Sequence, residues 1–302
     1  RQFLQAKQID VVHSHNLAAQ QYGVLGTVRS AVAHVQTQHG ANTHVLGMGN
    51  RLRSAALSRL TDAVVAVSGG TRDSMVAQQF ISQQKIRLIP NGVADYQPVD
   101  LGAVAAARAE CGLADCFVFG SVGRLAVVKG WERFLPVFAR FLEQVGDGDG
   151  DGDALPPRLL LVGDGPERAA IEQQAQSLGI GEFVVFAGFQ TDPQPWLALM
   201  DVFVLPSLSE GLSVALLEAL ESGLYACVTD VGDCGDVVRE VGHGTVLCPD
   251  DGAWADQLLA IYQEAPERRV SVLSSSAGAR IYSQSHCLQS YEDLYLSLSA
   301  QL

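Results

Sequence analysis

The strongest constraint on this chain is an alternation that runs along its whole length: short runs rich in Val, Ile and Phe, each followed by a longer amphipathic stretch. Parallel strands covered by helices on both faces carry near-continuous apolar runs, so the pattern predicts an α/β chain built on parallel sheets. Four such runs fall in the first hundred residues, at 10–14, 31–37, 63–68 and 86–90, with helices between them, one of them over 49–60. Residues 95–102, after Asn91-Gly92-Val93, lack strong periodicity and predict a linker. Six more runs follow, at 116–122, 158–162, 183–187, 202–206, 225–229 and 244–247. Near the end, Leu288, Tyr291, Leu294, Tyr295 and Leu298 recur at three- and four-residue spacings and predict an amphipathic terminal helix.

A length of 302 residues suits two cores better than one. The division is expected at 1–97 and 98–284, with residues 285–302 forming the terminal helix. With 48% apolar and 18% charged residues, the composition excludes a disordered chain, a collagen-like repeat and a disulfide miniprotein. The longest charge-free stretch, residues 30–50, contains His34, Gln36, Gln38, His39, Asn42 and His44, and so fails as a membrane span. The chain opens on Arg1 with no leader pattern, and it is expected to lack its true start.

Six cysteines at irregular spacings, without a C-x-x-C pair, read as reduced core thiols of a cytoplasmic protein rather than a zinc or redox motif. A net charge of −13 disfavours nucleic acid as a partner, because phosphates would be repelled. The charge is also uneven. Residues 1–100 hold nine Lys and Arg against five Asp and Glu, whereas residues 101–302 hold eleven against twenty-eight. Opposite signs suggest two lobes with different tasks. Asp147, Asp149, Asp151 and Asp153 alternate with glycine, but numbering a calcium loop from Asp147 puts Arg158 where a bidentate Glu is needed. The tract reads as a solvated insertion, and no metal site is assigned.

Two segments carry the elements of a binding site. The first, Gly120-Ser121-Val122-Gly123-Arg124-Leu125-Ala126-Val127-Val128-Lys129-Gly130, leaves a strand through glycines and enters a helix near Trp131. Backbone amides there can approach an anion, and Arg124 and Lys129 add positive potential. Gly-Trp follows Lys129, so this is not a Walker motif. Taken alone, the two cations read more readily as solvated loop residues than as ligands. The second segment follows the run at 202–206: Glu210, then Gly211-Leu212-Ser213-Val214 opening a helix, then Glu218 eight residues beyond Glu210. Loops after strand carboxyl ends are where doubly wound sheets bind ligands. Carboxylates flanking a helix start could hold a diol and an anion together. With equal weight, Glu210 could be a partner for the helix dipole and Glu218 a solvated helix residue.

In combination the segments are more specific. Gly123-Arg124-Leu125 with Lys129-Gly130, then Val162-Gly163-Asp164-Gly165-Pro166-Glu167-Arg168, then Phe186-Ala187-Gly188-Phe189, then Pro206-Ser207 with Glu210 and Glu218, follow one another in an order and spacing that resemble the retaining GT-B glycosyltransferases of family 4. Asp10-Val11-Val12-His13-Ser14-His15, Val67-Ser68 and Ile89-Pro90-Asn91-Gly92-Val93 resemble the later strands of that family's amino-terminal lobe. The resemblance implies two Rossmann-like doubly wound domains facing a cleft, the first lacking its early strands and glycine-rich loop, with the terminal helix packing back toward it. It also implies transfer of a sugar, with retention, from a UDP-, GDP- or ADP-sugar to a glycan or lipid-linked acceptor, without a metal or other cofactor.

By the same resemblance, Arg124 and Lys129 bind the donor diphosphate, with Gly123 beside them. Glu218 binds the ribose hydroxyls, Glu210 the donor sugar, and the amides of Gly211, Leu212, Ser213 and Val214 lie near the phosphates. His39 contacts the donor sugar, and Phe189 and Gln190 border the base. His13 and His15 alternate on one strand and are read as hydrogen-bonded structural residues in preference to metal ligands. Arg51, Arg53 and Arg59 on the helix over 49–60 suit either an anionic membrane surface or plain solvent. The location implied is cytoplasmic, peripheral at the inner face of the membrane. Gly223-Leu224-Tyr225 replaces the family's common Gly-x-Pro and predicts a change in packing. The rival readings are a nucleotide-sugar 2-epimerase of the same fold and an inactive nucleotide-sugar-binding protein.

Overall fold

A computed structural model describes residues 2–40, 47–94, 100–146, 155–264 and 282–300. The chain divides into two units, one of Arg1–Gly92, Ser209–Ser213 and Ile281–Leu302, the other of Val93–Leu208 and Val214–Arg280. The elements of the first unit are α1 (Gln2–Ala6), β1 (Val11–His15), α2 (Asn16–Thr27), β2 (Ala33–Gln38), α3 (Met48–Arg59), β3 (Ala63–Ala66), α4 (Gly69–Gln79) and β4 (Ile86–Leu88). In the second unit these are α5 (Leu101–Glu110), β5 (Phe117–Val122), α6 (Trp131–Val145), β6 (Pro157–Val162), α7 (Arg168–Ser177), β7 (Val184–Gly188), α8 (Gln194–Leu197), β8 (Val202–Leu205), α9 (Val214–Glu221), β9 (Tyr225–Val228), α10 (Cys234–Val241), β10 (Gly244–Val246) and α11 (Trp254–Gln263). The terminal helix α12 (Gln284–Ser299) returns to the first unit.

A strand stands at each of the ten apolar runs, shifted by no more than two residues at either end. Part of the expected linker, residues 95–99, and the Asp-Gly tract at 147–153 lie outside the described residues, while Leu101 and Gly102 open α5, capped by Asp100. All six cysteines are free thiols. Among the described residues, no helix is long and apolar enough to cross a membrane.

The first unit has a four-stranded parallel sheet in the order β1-β2-β3-β4. Period-two alternation gives β2 two unlike faces. Val35, with Ala63, Val65 and Ile89, packs against Leu294, Tyr291, Tyr295 and Leu298 of α12. His34, Gln36 and Gln38 point to the other face and are almost fully buried there. Ser283 caps α12 by accepting from His286 N at 3.2 Å, and Gly92 lets the helix approach, because a Cβ there would press on Ser283 and Cys287.

The six-stranded parallel sheet of the second unit runs β10-β9-β8-β5-β6-β7. The chain starts in the middle at β5, winds outward through β6 and β7, then crosses to β8 and continues the other way. The reversal makes the β5/β8 junction the topological switch point, where a crevice opens beyond the strand carboxyl ends. The core is aromatic. Trp131, Phe134, Leu135, Phe138 and Phe141 form one stripe of α6 and pack with Phe117, Phe119, Leu159 and Trp254. Each such buried side chain contributes about 2–3 kcal/mol. Pro136 has no N–H for the Glu132 carbonyl one turn back, and Gln174 Nε2 donates to that oxygen instead, at 2.7 Å. Tyr225 opens β9, with its hydroxyl 2.8 Å from Thr245 Oγ1 and its ring edge-on to His243.

Candidate active site

In the second unit the site is built from backbone. β5 ends at Val122, and Gly123, at φ 155°, turns the chain into a short 3₁₀ turn, Val127–Lys129, before α6. The Val162-Gly163-Asp164-Gly165-Pro166-Glu167 segment braces this loop. Gly123 N donates to Val162 O at 2.9 Å, Leu125 N to Asp164 O at 3.0 Å, and Glu167 N to Leu125 O at 3.0 Å. Gly163 and Gly165 are glycines for a steric reason, since a Cβ on either would strike the backbone oxygen of Gly123 or Leu125. Gly163 N continues the ladder to Gly188 O at 2.8 Å, and Arg168 pairs with Asp164 and Glu172.

Lys129 folds back over Gly123, its Nζ 3.8 Å from where a Cβ would stand. Arg124 is exposed and forms no ion pair among the described residues. Across the switch point, Leu208 N donates to Val128 O at 2.8 Å, which ties the loop after β8 to the loop after β5. Gly130 and Pro206 meet backbone to backbone at the same place. The glycine-rich loop and the start of α9 at Val214 are thereby held side by side.

Glu218 lies on the second turn of α9, half-buried, and makes no side-chain hydrogen bond among the described residues. Burial, and after it the charge of Asp192, raises its pKa above the usual carboxylate value. Spacing did not identify Asp192, which comes close to Glu218 only through the loop after β7. Phe189, on that same loop, is 74% exposed, an open apolar face, and Gln190 Nε2 is held by Ala187 O at 2.9 Å.

The remaining candidates belong to the first unit. Asn91 Nδ2 donates to Leu212 O at 3.3 Å, and Leu212 and Ser213 are buried. Gly211 lies against His39 and Gly40, with no room for a Cβ. Glu210, one residue earlier, is partly buried. His39 N donates to Asn16 Oδ1 at 3.2 Å, and His39 Nε2 is 2.8 Å from His15 Nδ1. His13 has Tyr295 OH at 2.6 Å on Nδ1 and Thr37 Oγ1 at 2.8 Å on Nε2, so both of its nitrogens serve hydrogen bonds. Burial, with the neighbouring histidines, lowers its pKa to about 4. Among the described residues, no group of three or more His, Cys, Asp or Glu is arranged to hold a metal ion.

The structure therefore brings Gly123 and Lys129 together, places the loops after β5 and β8 side by side, sets Asp192 near Glu218, and puts Gly211 against His39. On α3, Ser54, Ala55 and Ser58 form the buried face, while Met48, Leu52 and, just past the helix, Leu60 are exposed beside the arginines. Arg51 stacks over Phe80, and Arg53 bonds to Gln21.

The family follows from comparison with known proteins. Residues 116–264 match the family model described as Glycosyl transferases group 1, and residues 1–95 match the one described as Glycosyltransferase Family 4. The chain belongs to this glycosyltransferase family, and its two Rossmann-like units are the GT-B fold. It is similar to the Escherichia coli UDP-Gal:alpha-D-GlcNAc-diphosphoundecaprenol alpha-1,3-galactosyltransferase, 23% identical over 98% of this chain and 77% of that one. It is also similar to the D-inositol 3-phosphate glycosyltransferase of Nocardia farcinica, 28% identical over 95% of this chain and 66% of that one. Anabaena Alr3699/HepE, solved in complex with UDP and glucose, superposes with a TM-score of 0.82 at 19% identity, over 98% of this chain and 80% of that one.

Proposed function

We propose that this chain is a retaining hexosyltransferase that moves a sugar from a UDP-sugar to a hydroxyl of a lipid-linked glycan, in surface-polysaccharide or glycolipid synthesis. The observation that carries the reading is the Leu208 N to Val128 O hydrogen bond, which holds the two loops of the β5/β8 switch point side by side. The UDP in the Anabaena structure and the UDP-Gal named for the Escherichia coli relative favour uridine over guanosine or adenosine in the donor. Relatives named as transferases favour transfer over epimerisation.

In this reading Arg124, Lys129 and the first amides of α9, at Ser213 and Val214, receive the diphosphate. Glu218 accepts from the two ribose hydroxyls, which replace the hydrogen bonds that burial denies its carboxylate. Phe189 and Gln190 border the base. Glu210 and His39 contact the sugar. As the bond between the anomeric carbon and the phosphate oxygen breaks, negative charge gathers on the leaving UDP. Two fixed cations and a helix amino end stabilise that charge without a metal. The acceptor oxygen bonds to the anomeric carbon from the same face, and its proton passes to a phosphate oxygen of the departing UDP. The exposed Met48, Leu52 and Leu60 with Arg51, Arg53 and Arg59 suit peripheral contact with the anionic inner face of the cytoplasmic membrane.

The test is turnover of UDP-sugars with a diphosphopolyprenol-linked sugar as acceptor, in EDTA, followed by UDP release and by the anomeric coupling of the product. An α-linked product from an α-linked donor is expected. Epimerised UDP-sugar formed without an acceptor would overturn the reading.

A further inference from the structure

The terminal helix brings two tyrosines to a row of three imidazoles at the carboxyl edge of β1 and β2. His13 and His15 share one face of β1, and His39 follows β2. The ring centroids of His13 and His15 are 4.3 Å apart, and those of His15 and His39 are 5.0 Å apart with the planes within 22°. A phenol is the stronger donor, so Tyr295 O–H donates to His13 Nδ1 and His13 Nε2–H donates to Thr37 Oγ1. Thr37 O–H then faces Tyr291 OH at 3.0 Å. His13 is thus a neutral ring locked in one tautomer.

The pair beyond it is set by proton counting. His15 Nδ1 and His39 Nε2 are 2.8 Å apart, so a single proton lies between two neutral rings. If His15 donates, both rings carry the proton on Nδ1, and the outer nitrogen of His39 is a donor. If His39 donates, both carry it on Nε2, the tautomer that free imidazole side chains favour, and His39 Nδ1 presents a lone pair.

We propose that His15 is a positioning residue that holds His39 in the second arrangement, so that His39 Nδ1 accepts a hydroxyl proton of the donor sugar. The proposal rests on the reading of His39 as a sugar contact. A neutral acceptor suits a sugar that gains positive charge as the diphosphate leaves, whereas an imidazolium there would oppose it. The titratable groups around the pair are His13 on β1, His34 on the far face of β2 with Asp62 beside it, Tyr291, Tyr295 and Cys287 on α12, and Glu210 next to Gly211. Protonating His39 puts the proton on Nδ1 and removes the acceptor, so activity falls on the acid side.

Three chains decide it: wild type, His15→Ala, and His15→Asn, whose Oδ1 stands in for the lost nitrogen. His15→Ala is expected to lower kcat about tenfold, with KM for the UDP-sugar changed less than about threefold, and to move the acid limb of the kcat profile. His15→Asn is expected to restore most of kcat. Imidazole ¹⁵N shifts, assigned with His39→Gln, should show His39 protonated on Nε2 in wild type. A His39 Nδ1–H tautomer, or a His15→Ala chain with unchanged kcat and acid limb, overturns the proposal. Equal losses in both variants that track a lower melting temperature and leave the acid limb in place also overturn it. Should wild type turn over no UDP-sugar, the activity reading fails by itself, and the ¹⁵N shifts still decide the tautomer.

Discussion

The carbonyl oxygen of Pro206 stands where a side chain at Gly130 would begin, and Gly130 itself adopts φ 73°, in the left-handed region. One residue thus joins the loops after β5 and β8 and starts α6 beside Lys129. Gly130→Ala is expected to cost about 1–3 kcal/mol in stability through backbone strain and displacement of Pro206. UDP affinity should weaken at least about tenfold as Lys129 shifts, by the same arithmetic as a loss of about 1.4 kcal/mol. Urea unfolding and calorimetry on the same sample separate the two effects.

Asp192 tests the electrostatics of Glu218. Burial first, and Asp192 second, raise the Glu218 pKa. A raised carboxyl pKa means that the folded state holds the proton more tightly than the unfolded chain. Its contribution to stability is therefore present at low pH and is lost as pH rises through the folded value. Asp192→Asn should lower that value and move the acid edge of UDP binding to lower pH, while Glu218→Gln should abolish the edge. Titrating UDP affinity between pH 4 and 7 reads both.

His13 gives the opposite sign. Its pKa falls from 6.5 to about 4, so the unfolded chain takes up a proton that the folded chain refuses. Stability on this account is complete above about pH 6.5 and declines as pH falls toward 4. His34 and His39 are shifted in the same direction. Replacing His13 with Asn should flatten the decline in melting temperature across that window. Tyr295→Phe, which leaves His13 Nδ1 without its donor, should cost about 1–2 kcal/mol.

Arg108 and Asp201 provide a stability change away from the site. Asp201 Oδ2 accepts from Arg108 at 2.8 Å and from Val118 N at 2.8 Å, and both side chains are only 15% exposed. Removing one partner with Asp201→Ala strands a buried cation and should cost about 3–5 kcal/mol. UDP affinity at a temperature where the variant is folded should stay within about twofold of wild type, since Asp201 precedes β8 on the sheet edge opposite the loop after β5.

The strands were legible because buried parallel strands are written as uninterrupted apolar runs, as in Val202–Leu205 and Leu159 to Val162. Their ends were less so. Pro157 begins β6 one residue before the expected start, a position where the missing N–H costs nothing, and the run at 202–206 stops short of Pro206, which cannot donate onward. The loops after β5 and β8 could be placed at a strand's carboxyl end from the sequence, but not next to each other, because adjacency comes from strand order. Glu218 was visible by spacing, and its neighbour Asp192 was not. The contact of Tyr295 with His13 joins residues 282 apart, and no local pattern encodes it. On α3 the packed face is made of Ser54, Ala55 and Ser58, with Ser54 Oγ donating to Gln79 of α4 at 2.9 Å, and small side chains of this kind leave no apolar spacing to read.

The most direct test of the central claim, a nucleotide-diphosphate site at the β5/β8 switch point, is calorimetric titration of UDP into this chain in EDTA, with Arg124→Ala and Glu218→Ala alongside. The account predicts one site per chain, weakened at least about tenfold by either substitution in proteins that keep their melting temperature. Binding of the same strength in all three chains would contradict it.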